Sequence, residues 1–326
     1  VINDKKSAVV SANDISEKSL KNLALKANEI AKESLENPFD KLALIDQLAD
    51  KSKIIDLEIY DEKNINPINS SIFEEMAIVA DEAACSSSKV SNTDGSSSGA
   101  SMNEFFLCTS NGFKNGYKRS SFYISSTAIS SLDDNMEREY AFEHRTHLED
   151  LPLPKDVGIL AAERAINMVG AIKPSTGNYP VIFNNRVSSS IIGHILNAIN
   201  GDTVTKGSSW LLDRMNDNII PENYTLIEEP HLPKLYGSRP FDAEGLITKN
   251  NVYVKNGVLK SWVLDLKTSN QLGLESTCNA FRSGSALPYP SIGNIELTGG
   301  KNTLDDLLKM ANEGLMVCSM IGSSIN

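Results

Sequence analysis

Residues 179–200, YPVIFNNRVSSSIIGHILNAIN, decide how this 326-residue chain is read. The run YPVIFNNRV (179–187) predicts a buried strand and a turn. In SSSIIGHILNAI (188–199) the apolar residues Ile191, Ile192, Ile195, Leu196 and Ile199 recur at helical spacing, so the strand feeds an amphipathic helix. A zinc-peptidase helix needs imidazole ligands and a carboxylate base. Only one such residue, His194, lies on this one.

Downstream follow SSWLLD (208–213), the loop EEPHLPKLYGSRPFDAEGLIT (228–248), the hairpin-like YVKNGVLKSWVLD (253–265) and LGLESTCNAFR (272–282). Upstream lie SNTDG (91–95) and MEREYAF (136–142). In this order the motifs resemble the PmbA/TldE family, the partner of TldD in a bacterial two-subunit peptidase, over nearly the whole chain. In TldD the same helix carries His-Glu-x-x-Gly-His, whose imidazoles bind zinc and whose carboxylate activates a water. The resemblance lays the Gly-His pair on Gly193 and His194, and puts Ser189 at the first histidine and Ser190 at the glutamate. Serine is neither a usual zinc ligand nor a base at neutral pH. The family's remaining ligand, a cysteine, belongs to a C-terminal stretch not in this sequence. The resemblance therefore implies no zinc in this chain and zinc in a TldD-like partner. His194 reads as a helix histidine, hydrogen-bonded or half-buried.

Composition sets outer bounds. With 40% hydrophobic and 22% charged residues the chain is an ordinary globular protein, long enough for two domains. A net charge of −11, with no basic stripe, argues against a nucleic-acid binder that works by neutralising phosphates. No apolar run is long enough to cross a bilayer, so no membrane partner is expected. Cys85, Cys108, Cys278 and Cys318 are scattered without a CxxC pair, which suits a reducing cytoplasm.

Along the chain, KKSAVVS (5–11) predicts a strand, and Asn13 or Asp14 a cap for a helix through Ile15, Leu20, Leu23, Ala27 and Ile30 that ends at Asn37-Pro38. A short helix is expected over 40–49, a half-buried strand at KIIDLEIYD (53–61) and a helix over 72–84. Residues 86–131 are rich in Ser, Gly and Asn, yet their interleaved aromatics and the Asn-Gly pairs at 111–112 and 115–116 predict a β-meander. It continues through REYAFEHRTHL (138–148), before a helix over 155–171 and the loop KPSTGN (173–178). The expectation is an α+β protein of two domains, each a large mixed or antiparallel sheet with packed helices. The N-terminal α+β domain spans 1–177 and the C-terminal metalloprotease-like domain 178–326. VINDKKSAVV reads as the middle of a strand, and the resembled family runs on at both ends, so the start of the first domain and the end of the second are expected to be missing.

Glu143-His144-Arg145-Thr146-His147 is a tempting metal motif. On a strand, however, an odd separation sends His144 and His147 to opposite faces. In GSRPFDAEG (237–245), Gly237, Gly245 and Pro240 shape a turn that carries Asp242 and Glu244. The family places this loop near the peptidase chamber, with Asp242 accepting backbone hydrogen bonds. STCNAFRSG (276–284) is a polar loop in which Thr277 and Arg282 are candidate contacts for a peptide's backbone or terminus. Ser188–Ser190 lack a GxSxG elbow and a paired base, and neither a P-loop nor GxGxxG follows a strand.

Three functions remain open. The chain is a non-catalytic subunit of a TldD/TldE-type zinc peptidase, handling peptides and small unfolded proteins as a heterodimer with a TldD-like subunit or as a homodimer. It is a stand-alone metallopeptidase that uses His194 or His144 and His147. Or it is a modulator without proteolytic context.

Overall fold

The computed structural model describes residues 1–132, 135–283, 286–320 and 322. The chain opens with a two-stranded pair, β1 (Ile2–Asn3) and β2 (Lys6–Ser7), followed by α1 (Glu17–Glu33). Next come the single turn α2 (Glu62–Ile65) and α3 (Ser70–Cys85), then the strands β3 (Val90–Cys108), β4 (Lys114–Leu132) and β5 (Asn135–Arg145), and α4 (Pro154–Met168). The strands form an antiparallel meander in the order β3-β4-β5. Alternation in β4 sends Ser120, Phe122, Ile124, Ser126, Ala128 and Ser130 to a buried face that α3 and α4 cover. Small residues bring the two helices close: Ala80 and Ala84 meet Ala161, Ala162 and Ala165. A Cβ on Gly158 would collide with the Ala80 carbonyl, so only glycine permits that approach.

The second half holds β6 (Val181–Phe183), α5 (Asn185–Ala198), α6 (Gly201–Thr205), β7 (Thr225–Glu228), β8 (Asn251–Lys255), β9 (Val258–Leu259) and α7 (Leu266–Leu272). After these come β10 (Ala280–Phe281), β11 (Tyr289–Pro290), β12 (Ile295–Thr298), α8 (Leu304–Ala311) and β13 (Leu315–Val317). An antiparallel sheet runs β12-β7-β8-β9, β13 pairs with β6 in parallel, and β10 pairs with β11. Ile195 and Ile199 of α5 enter one core with Leu226, Tyr253, Val254, Leu259 and Val263. Each such fully buried side chain contributes about 1.5–3 kcal/mol. The β8–β9 turn places Asn256 at φ 49° and Gly257 at φ 82°, the left-handed pair that a tight hairpin requires.

Several local expectations are corrected. The helix over 40–49 is only a 3-10 turn at Ile45–Gln47, because its backbone is claimed from afar. The Ala49 N–H donates to Gly245 O at 2.8 Å, and the Asn111 amide donates to Ala43 O at 2.6 Å. In 53–61 the alternation is real, with Leu57, Ile59 and Asp61 buried. Its backbone groups bond separately to Lys234 and Ser120, however, so no ladder forms. Ser16, not Asn13 or Asp14, caps α1, and only Lys6–Ser7 of 5–11 is strand. Asn111-Gly112 makes the hairpin turn while Asn115-Gly116 lies inside β4. β6 is not buried: Val181 is 47% and Phe183 40% exposed, and among the described strands it pairs only with β13.

Candidate functional site

Asn184 caps α5 by accepting from the Arg186 N–H at 3.0 Å. The Arg186 side chain reaches across to β5, where it pairs with Glu139 at 3.1 Å and lies over the Tyr140 ring at 4.9 Å. The start of α5 is thus tied to the meander. Beyond it Ser189 is exposed, while Ser190 and His194 are half-buried. No hydrogen bond to the His194 ring occurs among the described residues.

In the resembled TldD motif this helix holds zinc, and the donors present on α5 do not fit that metal. Two hydroxyls and one imidazole replace two imidazoles and a carboxylate, and no nearby histidine completes a set. His144 is engaged by Ser121 Oγ at 2.7 Å and stands edge-on to the Tyr236 ring at 4.6 Å. Burial, then the nearby Arg145 charge, lowers its pKa. His147 lies past the end of β5 against Thr146 Oγ1 at 3.2 Å. Among the described residues no three His, Cys, Asp or Glu side chains gather as a metal-ligand set.

The loop 237–245 is better built. Asp242 is buried, and its Oδ1 accepts the N–H groups of Glu244 at 2.9 Å and Leu246 at 3.0 Å. Its Oδ2 accepts from Ala280 at 3.3 Å, so one carboxylate fastens the loop to itself and to β10. Burial nevertheless pushes the Asp242 carboxyl up to about 6. Glu244 accepts the Leu266 N–H at 2.9 Å at the start of α7. Burial, followed by the charges of Asp242 and Asp265, raises its carboxyl well above the usual range. Gly245, at φ 87°, presses on the ring of Phe113 at the tip of the β3–β4 hairpin, and Phe113 stacks edge-on against Phe241 at 5.0 Å. Gly237 has no room for a side chain beside Asn294.

Thr277 and Arg282 part company. Thr277 is buried, its hydroxyl bridging the Leu264 N–H at 2.7 Å and the Leu264 carbonyl at 3.1 Å, so it braces the chain. Arg282 is exposed and lines, with Glu244, a cavity of about 650 Å³ between the first residues of the chain, α1, the hairpin tip, Ala243, the start of α7 and Leu287–Pro288.

Sequence reasoning missed the polar hub at the end of β7. Glu228, fully buried, accepts from the Tyr253 hydroxyl at 2.6 Å, the Asn279 amide at 2.8 Å and the Gly293 N–H at 2.7 Å, with Arg239 at 3.6 Å. These ordinary residue types are far apart in sequence, and no local spacing marks them. A carboxylate so placed is retained by its partners.

The α+β architecture, several sheets with packed helices, is matched over most of its length by one metallopeptidase family. Residues 176–326 match the PmbA/TldA metallopeptidase C-terminal domain and residues 58–169 the central domain of the same family. The chain belongs to that PmbA/TldD family. It is 32% identical over 272 residues to the metalloprotease PmbA of Escherichia coli O157:H7, covering 83% of this chain and 58% of that protein. It is 30% identical over 317 residues to a metalloprotease PmbA homolog of Haemophilus influenzae, covering 97% and 67%. This chain thus spans less than two thirds of the Escherichia coli relative's length. The crystal structure of TldE from Thermococcus kodakarensis shares the fold, with a TM-score of 0.81 at 22% identity over 99% of this chain and 72% of that one. Among the described residues no helix is long and apolar enough to cross a membrane.

Proposed function

We propose that this chain is the non-catalytic subunit of a TldD/TldE-type zinc peptidase and shapes half of a chamber in which a TldD-like partner cuts extended peptides. The observation that carries the reading is the donor set on α5, where Ser189 and Ser190 stand at the positions of a ligand and a base. The partner holds the zinc, which supplies the activated water. This chain contributes shape. Asp242 holds the loop 237–245 rigid, and Glu244 and Arg282 line the neighbouring cavity. A peptide enters by adding a strand to a sheet edge, which reads backbone more than side chains. β6, paired only with β13 among the described strands, offers such an edge next to α5.

The assembly is a heterodimer with the TldD-like subunit, or a homodimer in its absence. It matures peptides and degrades small unfolded proteins in the cytoplasm, a compartment that suits four free cysteines. A stand-alone metallopeptidase is disfavoured, since Ser121 and Thr146 already engage His144 and His147.

The test is to prepare the chain alone and with a TldD-like subunit, and to measure bound zinc and peptide cleavage in each. The reading expects no zinc and no cleavage from the solitary chain, and zinc with cleavage from the pair. Stoichiometric zinc and cleavage by the solitary chain would overturn it.

A further inference from the structure

The 650 Å³ cavity falls in the range of about 300–1,000 Å³ typical of pockets for small ligands. Its wall is apolar, formed in part by Val10, Leu20, Leu23, Leu42 and Leu287. Its polar groups do not balance. Asp40 lines it, but that carboxylate is already engaged by the Ser7 hydroxyl at 2.5 Å and the Asn37 amide at 3.0 Å. Glu244 is committed to the Leu266 N–H, and burial raises its carboxyl well above the usual range. Lys267 and Arg282 supply positive charge beside it, and neither forms an ion pair among the described residues. Arg282 lies near enough for its charge to act on Glu244, and Lys267 adjoins the Leu266 N–H that Glu244 binds. The cavity therefore combines an apolar wall with a cationic end.

We propose that this cavity holds the carboxyl-terminal residue of a peptide, with its apolar side chain against the leucine wall and its terminal carboxylate on Arg282 and Lys267. The inference rests on the reading of the chain as a peptide-handling subunit and names the end of the peptide it grips. An arginine fork matches a carboxylate in geometry and charge, and beside an apolar wall that pairing is less screened than in water.

The experiment measures binding of a fluorescein-labelled hexapeptide, Gly-Ser-Gly-Ser-Ala-Leu, to the chain by anisotropy, as the free acid and as the carboxyl-terminal amide. The acid is expected to bind at least about tenfold more tightly than the amide. Replacing the last Leu by Ser should weaken the acid by about tenfold or more. Arg282→Gln and Lys267→Gln should each narrow the acid-to-amide ratio and together abolish it. Thermal melts of both variants are expected to match the parent, since Arg282 is exposed and Lys267 half-exposed.

Equal binding of acid and amide, no binding of either, or an unchanged ratio in the double variant would each overturn the proposal. So would saturation by decanoate without binding of the acid peptide, which would assign the cavity to a free apolar acid. The two readings separate in the parent chain. If acid and amide bind alike while the chain still supports cleavage of an unfolded protein by a TldD-like partner, the subsite fails and the subunit reading stands. If the acid peptide binds preferentially but the pair does not cleave, the subunit reading fails instead.

Discussion

The Arg186 guanidinium at the start of α5 lies 3.1 Å from the Glu139 carboxylate of β5, with the two side chains only 19% and 9% exposed. The meander and the helix at the peptidase motif are thereby locked together by a pair that water screens little. Glu139→Gln is expected to cost about 1.5–3 kcal/mol, the range for a hydrogen bond to a charged group. Urea denaturation of both single variants and the double Glu139→Gln/Arg186→Gln checks this. A coupling energy near zero would show that the pair does not hold the two elements.

Two glycines on helices should respond oppositely to alanine. At Gly158 the new methyl meets the Ala80 carbonyl, so α3 and α4 must separate. A loss of about 1–3 kcal/mol is expected, as for overpacking. At Gly193 nothing lies within 4 Å of the added carbon, and alanine should stabilise by about 0.4–1 kcal/mol through the unfolded chain. Thermal melts of the two variants decide both signs.

Asp242 makes stability depend on pH. Its carboxyl is raised in the fold to about 6 from 3.8. A group raised in this way contributes stability that is fully present below the unfolded pKa and lost as pH rises through the folded one. Between pH 4 and 7 the parent should lose on the order of 2 kcal/mol relative to Asp242→Asn, which does not titrate. Carboxylates lowered by folding, such as Asp61, act in the opposite sense and cancel in that difference. Urea midpoints of both proteins across this range are the measurement. Parallel curves would mean that Asp242 stays ionised throughout.

His194 should be dispensable for metal. With no hydrogen-bond partner among the described residues, His194→Gln is expected to change stability by less than about 0.5–1 kcal/mol. Zinc content and cleavage rate of the pair with a TldD-like subunit should change by less than about threefold. Loss of zinc in the variant would make His194 a ligand.

Periodicity carried much of the architecture. The meander, α3, α4, α5 and the β8–β9 hairpin announce themselves because each has a face to bury, and the pattern of that face is local. The segments 40–49 and 53–61 deceived for the complementary reason. Their side chains alternate or cluster as an element would, but Gly245, Asn111, Lys234 and Ser120, all remote in sequence, take up their backbone groups. In the candidate site, Asp242 was legible as a loop-fastening carboxylate through the family resemblance, and its hydrogen bonds to Glu244 and Leu246 have that form. Thr277 was not legible as a buried brace, because the hydroxyl's partner is chosen by packing.

The amino-acid sequence by itself determined the family pattern and the chemistry that α5 lacks, because residue type at a motif position does not depend on where the rest of the chain goes. Only the tertiary structure decided which groups engage His144 and His147, that Glu228 gathers Tyr253, Asn279 and Arg239, and that Arg282 and Lys267 share a cavity with a leucine wall. Hydrogen bonds and charge pairs act over a few ångströms, and only folding brings residues tens of positions apart within that reach.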